Sequence, residues 1–190
     1  QVVELLTKRG IILKKGTIVD STIISAPSST KNASRQRDSE AHQTKKGNMY
    51  YFGFKAHIGV DDSSGLVHTV KVTPANKHDV TMTAELMHGD EERLYGDSGY
   101  LGADKRENAI LKNRSGKKIK YIINRRPSQS KNLSTRAKGQ IKRREREKSS
   151  VRAKVEHVFA VVKKQLRYRK TRYRGLRKQT AKLNMMFALA

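Results

Sequence analysis

A chain of 190 residues with 35% apolar side chains is long enough for one ordinary domain with a real core, and its 31% charged content leaves much surface for solvent or a polyanion. It carries 42 Lys and Arg against 17 Asp and Glu, a net charge of +25, and no cysteine, which excludes disulfide scaffolds and thiolate zinc sites. No stretch approaches the apolar length of a membrane span and no signal-peptide pattern opens the chain, so the expectation is a soluble, cytoplasmic protein.

The charge is unevenly placed. Residues 1–107 hold 15 basic and 14 acidic side chains, whereas residues 108–190 hold 27 basic ones and three acids, Glu145, Glu147 and Glu156. Such an asymmetry points to a nucleic-acid-facing half.

In chain order, "VVELLTKRGIILKKG" reads as a helix closed by Gly10, and the β-branched "GTIVDSTII" as a strand. The polar stretch over 25–49 has no apolar periodicity and reads as a long loop. "YYFGFKAHIGVD" alternates, with Phe52, Phe54, Ala56, Ile58 and Val60 on one face and Tyr51, Lys55 and His57 on the other. "DDSSG" then turns the chain into "LVHTVKVT", giving an antiparallel hairpin.

"PANKHD" breaks that strand, and Asp79 is placed to cap a helix "VTMTAELMHG" stopped by Gly89. A short strand "RLYGD", a helix "ADKRENAILKN" and a last strand "KIKYIIN" follow. Residues 124–149 read as a basic, weakly structured segment, ahead of a helix "VRAKVEHVFAVVKKQL" and a last helix "LRKQTAKLNMMFALA". The sum is a single mixed α/β domain over 1–190 with a partly antiparallel sheet and no internal repeat.

On the helix "VRAKVEHVFAVVKKQL", Val151, Val155, Val158, Phe159, Val162 and Leu166 share one arc of roughly 100°. Arg152, Glu156 and Lys163 form a row beside it. Alone, Glu156 is a surface ion-pair partner for Arg152. Asp20, at the end of "TIVD", and Asp97, at the end of "RLYGD", read singly as turn formers or caps. If their strands are neighbours, one rim carries both aspartates and a helix across it can add the glutamate. Three hard oxygen ligands suit Mg²⁺ or Mn²⁺ rather than zinc, and two such ions can drive phosphodiester chemistry.

These stretches, with "HQTKKGNMYYFGFKAHIGVD", "GLVHTVKVTPANKHDV", "GDSGYLG" and "TRYRGLRKQTAKLNMMFALA", resemble bacterial insertion-sequence transposases of the insertion-sequence-five group. These are DDE enzymes with a ribonuclease-H-like core. The resemblance covers essentially the whole chain in the right order. It implies that Asp20, Asp97 and Glu156 are the catalytic, metal-binding triad for two Mg²⁺ or Mn²⁺ ions. It further implies that Arg152 and Lys163 contact transposon-end DNA, and that the protein works on transposon ends and target DNA as a homo-oligomer in a bacterial nucleoid. Ser149 stands where the family often has a tyrosine. A helical DNA-end-recognition region that family members carry at the N-terminus is expected to be missing here.

The remaining signals are weaker. The six histidines make no tight helical pair and argue against zinc. Asn76, His78 and Asp79 read as a strand exit and cap, to which the resemblance adds an active-site edge. In "RYRKTRYRG", Tyr168 and Tyr173 interleave with Arg167, Arg169, Arg172 and Arg174, a pattern that fits DNA or, equally, a helix connection with arginines reaching to solvent. The run "KNLSTRAKGQIKRREREK" reads as a flexible phosphate-binding segment.

Overall fold

A computed structural model describes residues 2–12, 15–126, 128 and 134–190. Its centre is a mixed six-stranded sheet. The first helix, α1 (Val2–Lys8), ends as expected, with Gly10 at φ +69°. Then come β1 (Gly16–Ser25), β2 (His42–Lys46), β3 (Met49–Asp61) and β4 (Val67–Pro74). A 3-10 turn (Asp79–Met82) leads into a single-turn α2 (Thr83–Leu86). Strands β5 (Arg93–Gly96) and β6 (Lys120–Ile123) precede α3 (Thr135–Ala160), a π-turn over Val161–Gln165, and α4 (Leu176–Ala188).

Strand β3 pairs antiparallel with β1, β2 and β4, while β1, β5 and β6 run parallel. The period-2 pattern of β3 decides which side is which. Phe54, Ala56, Ile58 and Val60 join Ile18 and Ile24 of β1 in one core, closed by Val155, Val158 and Val162 from the α3 end and by Leu183, Met186 and Phe187 of α4. On the opposite face, Val19 and Leu94 pack with Met82, Leu86, Met87, Tyr100 and Ile119. The valine stripe expected around Glu156 is thus the docking face of α3. At 20–33 cal/mol per Å² of apolar surface removed from water, each such valine adds about 1.5–2 kcal/mol.

Five expectations are corrected. First, the polar stretch over 25–49 contains β2 and is held down elsewhere: Asp38 and Glu40 accept the amides of Gly175 and Leu176, capping α4, whose own Gly175 offers no side chain. Second, Asp79 caps nothing; the residue before the turn is His78, and the Asp79 carboxylate lies 3.0 Å from Lys55 Nζ. Third, no helix forms over 103–113. The chain makes a 3-10 turn at Ala103–Lys105, and then Asn113 closes a turn by accepting the Lys117 amide through its side chain. Ala109, Ile110 and Leu111 are too few apolar residues to form a helical stripe. Fourth, residues 135–150 are the first part of α3 rather than weakly structured, entered through Ser134, whose hydroxyl accepts the Ala137 amide. Residues 127 and 129–133 of that stretch lie outside the described set. Fifth, Asp20 lies in the middle of β1, not at its end.

His57 lies on the face of β3 opposite Phe54, Ala56 and Ile58, as the alternation predicts. It is fully buried, because the 79–87 segment covers that face of β3.

Candidate active site

The register of the parallel strands builds the site. Ile18 pairs with Tyr95 and Gly96 with Ile123, so the same offsets carried one or two residues onward align Asp20 with Asp97 and Asp97 with Asn124. Neighbouring strands lie about 4.8 Å apart, so the three residues form one row across the sheet. Asp20 shares the face of Ile18, and Asp97 that of Tyr95, which is the face α3 covers.

Helix α3 reaches this row through Arg152. One guanidinium nitrogen donates to Asp20 Oδ2 at 3.2 Å and the other to Asn124 Oδ1 at 3.4 Å. The helix is positioned by Glu145, which accepts the Asn124 side-chain amide at 2.9 Å, the Arg125 backbone amide at 3.0 Å and Lys148 Nζ at 2.7 Å. Ser149 also accepts from the Asn124 amide, at 3.3 Å. Asn124 therefore ties the sheet edge to α3. Its place just beyond a short strand of ordinary composition hid it from sequence reading; its position after "KIKYII", matching Asp97 after "RLYG", was the available signal.

Both aspartates spend part of their charge on local backbone. Asp20 accepts the Ser21 amide at 2.7 Å, and Asp97 accepts the Gly99 amide at 2.8 Å, capping the 3-10 turn Ser98–Tyr100. Burial lifts the Asp20 carboxyl to about 6; the Asp97 charge adds to the rise, while the Ser21 amide and Arg152 oppose it. The side chain of Asp20 is 18% exposed, and its loss of solvation outweighs the Arg152 salt bridge.

Below the row lies Tyr100, 1% exposed, whose hydroxyl has no hydrogen-bond partner among the described residues. Burial raises its phenol well above 10, and the charges of Asp20, Asp79 and Asp97 raise it further. On that side Asp79 Oδ1 also lies 3.7 Å from His57 Nδ1, while His57 Nε2 faces Thr73 Oγ1 at 2.8 Å. Burial holds His57 neutral, lowering it to about 4, with Asp79 opposing and Lys55 reinforcing the shift. The edge role expected for Asp79 thus corresponds to a polar cluster with buried His57 and part-buried Lys55 on the far face, while Asn76 and His78 are exposed.

Asp20 and Asp97 offer the hard oxygens that Mg²⁺ or Mn²⁺ takes, and a buried carboxylate beside a second one is charge that a cation would relieve. That pair fits such an ion. Glu156 is exposed, one turn beyond Arg152, and among the described residues no three His, Cys, Asp or Glu side chains stand close enough to share an ion.

The expected DNA-contacting residues divide. Arg152 is the counter-ion of Asp20 rather than a free surface cation. Lys163, in the π-turn, is half-buried; burial lowers it, and so do Lys46 and Arg169. Arg167, Arg169 and Arg172 are exposed, and Arg167 takes the left-handed backbone that ends the turn, at φ +52°. Arg174 donates to Ser34 Oγ and the Gln36 carbonyl, pinning the 26–41 segment. Tyr168 belongs to the core, its hydroxyl donating to Gln179 at 2.6 Å, whereas Tyr173 is 53% exposed.

Among the described residues no helix is long and apolar enough to cross a membrane. In comparison with known proteins, the profile of the family described as "Transposase DDE domain" matches residues 12–190. No solved structure matches the chain.

Proposed function

The chain belongs to the transposase DDE-domain family, and from that premise we propose that it is the catalytic core of a DNA transposase of the insertion-sequence-five group, built on a ribonuclease-H-like fold. An antiparallel half joined through β1 to a parallel half, with helices on the sheet, supports the fold reading. The reaction is phosphodiester hydrolysis at a transposon end, followed by attack of the freed 3′-hydroxyl on target DNA. No covalent protein–DNA intermediate is needed.

The observation that carries this reading is the alignment of Asp20 with Asp97 on neighbouring parallel strands, with the Asp20 carboxyl lifted to about 6 beside its neighbour. In this reading Asp20 and Asp97 hold Mg²⁺ or Mn²⁺, and Glu156 joins them from α3. The bound ion would activate the attacking oxygen and stabilise the leaving one. Arg152 balances Asp20 and, through Asn124, holds α3 over the row. Lys163, Arg167, Arg169, Arg172 and Arg174 present the cationic surface that takes up DNA phosphates, with a homo-oligomer on DNA as the working form.

The test is Mn²⁺-dependent nicking of supercoiled plasmid, with Asp97→Asn beside the wild type. Nicking that disappears in the variant supports the reading; equal nicking by both removes Asp97 from the chemistry. A second reading, a DNA-binding remnant without catalysis, draws on the exposed position of Glu156 outside the carboxylate row. It expects DNA binding that is indifferent to Asp20, Asp97 and Glu156 and no nicking at all.

A further inference from the structure

The amino-terminal half of α3 carries charge that the candidate active site does not use. Over residues 134–150, "STRAKGQIKRREREKSS" holds seven Lys and Arg against two acids, Glu145 and Glu147. One side of this half faces the domain: Ala137, Ile141, Glu145 and Lys148 are half-buried, at spacings of four, four and three. At about 100° per residue, Arg136, Lys142, Arg143 and Arg146 fall within an arc of roughly 120° on the other side, and all four are exposed. Gly139 sits in the middle of that arc, where an added Cβ would meet nothing within 4 Å.

Both acids of this half are already engaged. Glu145 takes Asn124, the Arg125 amide and Lys148, and Lys148 Nζ donates in addition to the Ile123 carbonyl at 2.9 Å. This clamp fixes the middle of α3 against the end of β6, and Val155 and Val158 dock the helix beyond it. The outer arc is therefore presented at a set angle to the sheet. Of its four cations only Arg143 has a carboxylate partner among the described residues, the well-exposed Glu147 at 3.4 Å. A straight row of cations suits a ligand with regularly spaced anions. Residues 134–150 contain no Phe, Tyr or Trp, so no ring is offered to an unpaired base. The ligand that matches is duplex DNA, whose phosphates recur about every 3.4 Å along each strand.

We propose that the outer face of the amino-terminal half of α3 binds the phosphates of duplex DNA through Arg136, Lys142, Arg143 and Arg146. The inference rests on the reading that the protein acts on DNA, and adds to it which stretch of duplex this helix holds. Arg146 and Arg136 precede Glu156 by ten and twenty residues, about 15 and 30 Å at ~1.5 Å per residue. A duplex lying along α3 is therefore gripped roughly four to nine base-pair steps from the bond to be cut. The cations of the basic tail follow Glu156 in the chain and serve a different stretch of DNA.

The experiment measures duplex binding by the full chain against salt concentration. One variant replaces Arg136, Lys142, Arg143 and Arg146 with Gln, which keeps good helix propensity. A control replaces the exposed Lys8, Arg9, Lys105 and Arg106 with Gln and so loses the same net charge. The first should lower the slope of log affinity on log salt by about 3–4 and the affinity by roughly 10²-fold at ~0.2 M salt; the control should lower the slope by less than about 1. Proximity is read separately. The chain has no cysteine, so Gly139→Cys takes a single iron–EDTA probe, in the Asp97→Asn background to silence the candidate active site. That probe should cut bound duplex, whereas the same probe on Lys105→Cys should not. An unchanged slope, an equal loss in the control, or equal cutting from both probes overturns the proposal. The plasmid-nicking assay separates the two readings. Asp97-dependent nicking with an unchanged slope sinks the α3 surface alone, an α3-dependent slope without nicking sinks the catalytic reading alone, and failure to bind duplex sinks both.

Discussion

The two halves of the chain use charge in opposite ways. In residues 1–107 most acids have a structural partner. Glu91 is fully buried and accepts from Thr17 Oγ1, the His88 amide and the Gly89 amide, Asp61 accepts the Ser63 and Ser64 amides of the hairpin turn, and Asp62 holds Arg93 at 2.6 Å. In residues 108–190 the three acids are outnumbered and only Glu145 is deeply engaged, while most cations face solvent. Where the halves meet, Asp20 is desolvated beside Asp97, and Arg152 is the one cation of the basic half that pairs with Asp20 among the described residues. Charge is thus consumed in building the first half and held ready for a polyanion in the second.

The largest expected effect strikes the meeting point. Asp97→Asn should lower Mn²⁺-dependent nicking by about 10³-fold or more, equivalent to ~4 kcal/mol, with the melting temperature little changed. A variant that nicks at the wild-type rate would show that these acids are structural like their neighbours.

Next comes a purely structural acid. Glu91→Ala strands a buried hydroxyl and two amides and should destabilise by about 3 kcal/mol in urea unfolding. A loss below ~1 kcal/mol would mean that solvent reaches the 88–91 turn.

The buried His57 supplies a pH test. Its folded pKa of about 4 lies below the unfolded 6.5, so folding favours the neutral ring. That contribution is full above pH 6.5 and is lost as pH falls toward 4, on the order of 3 kcal/mol across the window. Asp20 has the opposite sign, being raised from 3.8 to about 6. Its contribution is full below pH 3.8 and lost as pH rises through 6. The two windows overlap, so unfolding should be followed from pH 8 to 4 in Asp20→Asn, where only the His57 slope remains and the decline should be steeper than in wild type.

At pH 8 the same Asp20→Asn substitution should stabilise the fold by about 2 kcal/mol, because the charged carboxylate is the disfavoured form there. Unchanged or lower stability would mean that the Arg152 pairing outweighs burial. The smallest effect belongs to the basic half: Arg143 and Glu147 pair at 3.4 Å across one turn of α3 with both side chains largely exposed, and Glu147→Gln should cost less than ~0.5 kcal/mol.

Much of the sheet was legible from local pattern. Alternation in β3, the turn after Asp61 and the β-branched run of β1 each specify a strand without reference to anything distant. The valine stripe of α3 likewise identified its buried side. The failures share a cause. Strand β2 is polar and pairs only because β3 extends beyond β4 to meet it, and the 26–41 segment is ordered by Gly175, Leu176 and Arg174, more than 130 residues away. The missing helix over 103–113 reflects turn chemistry at Asn113 that outweighs weak helical periodicity.

The site was legible to the same depth. Asp20 and Asp97 stood out because each follows an apolar strand, and their pairing needed only that β1 and β5 be neighbours. Asn124 and the Tyr100 hydroxyl carried no comparable signal, since their significance lies in what surrounds them.

The sequence by itself determined which segments alternate, which helix face is apolar and on which half of the chain the positive charge lies, because those properties depend on residues only a few positions apart. Only the tertiary structure decided that Asp20, Asp97 and Asn124 share a row and that Arg152 is spent on a carboxylate while Glu156 stays exposed. Those facts depend on strand order, register and burial, and a local pattern of residue types encodes none of them.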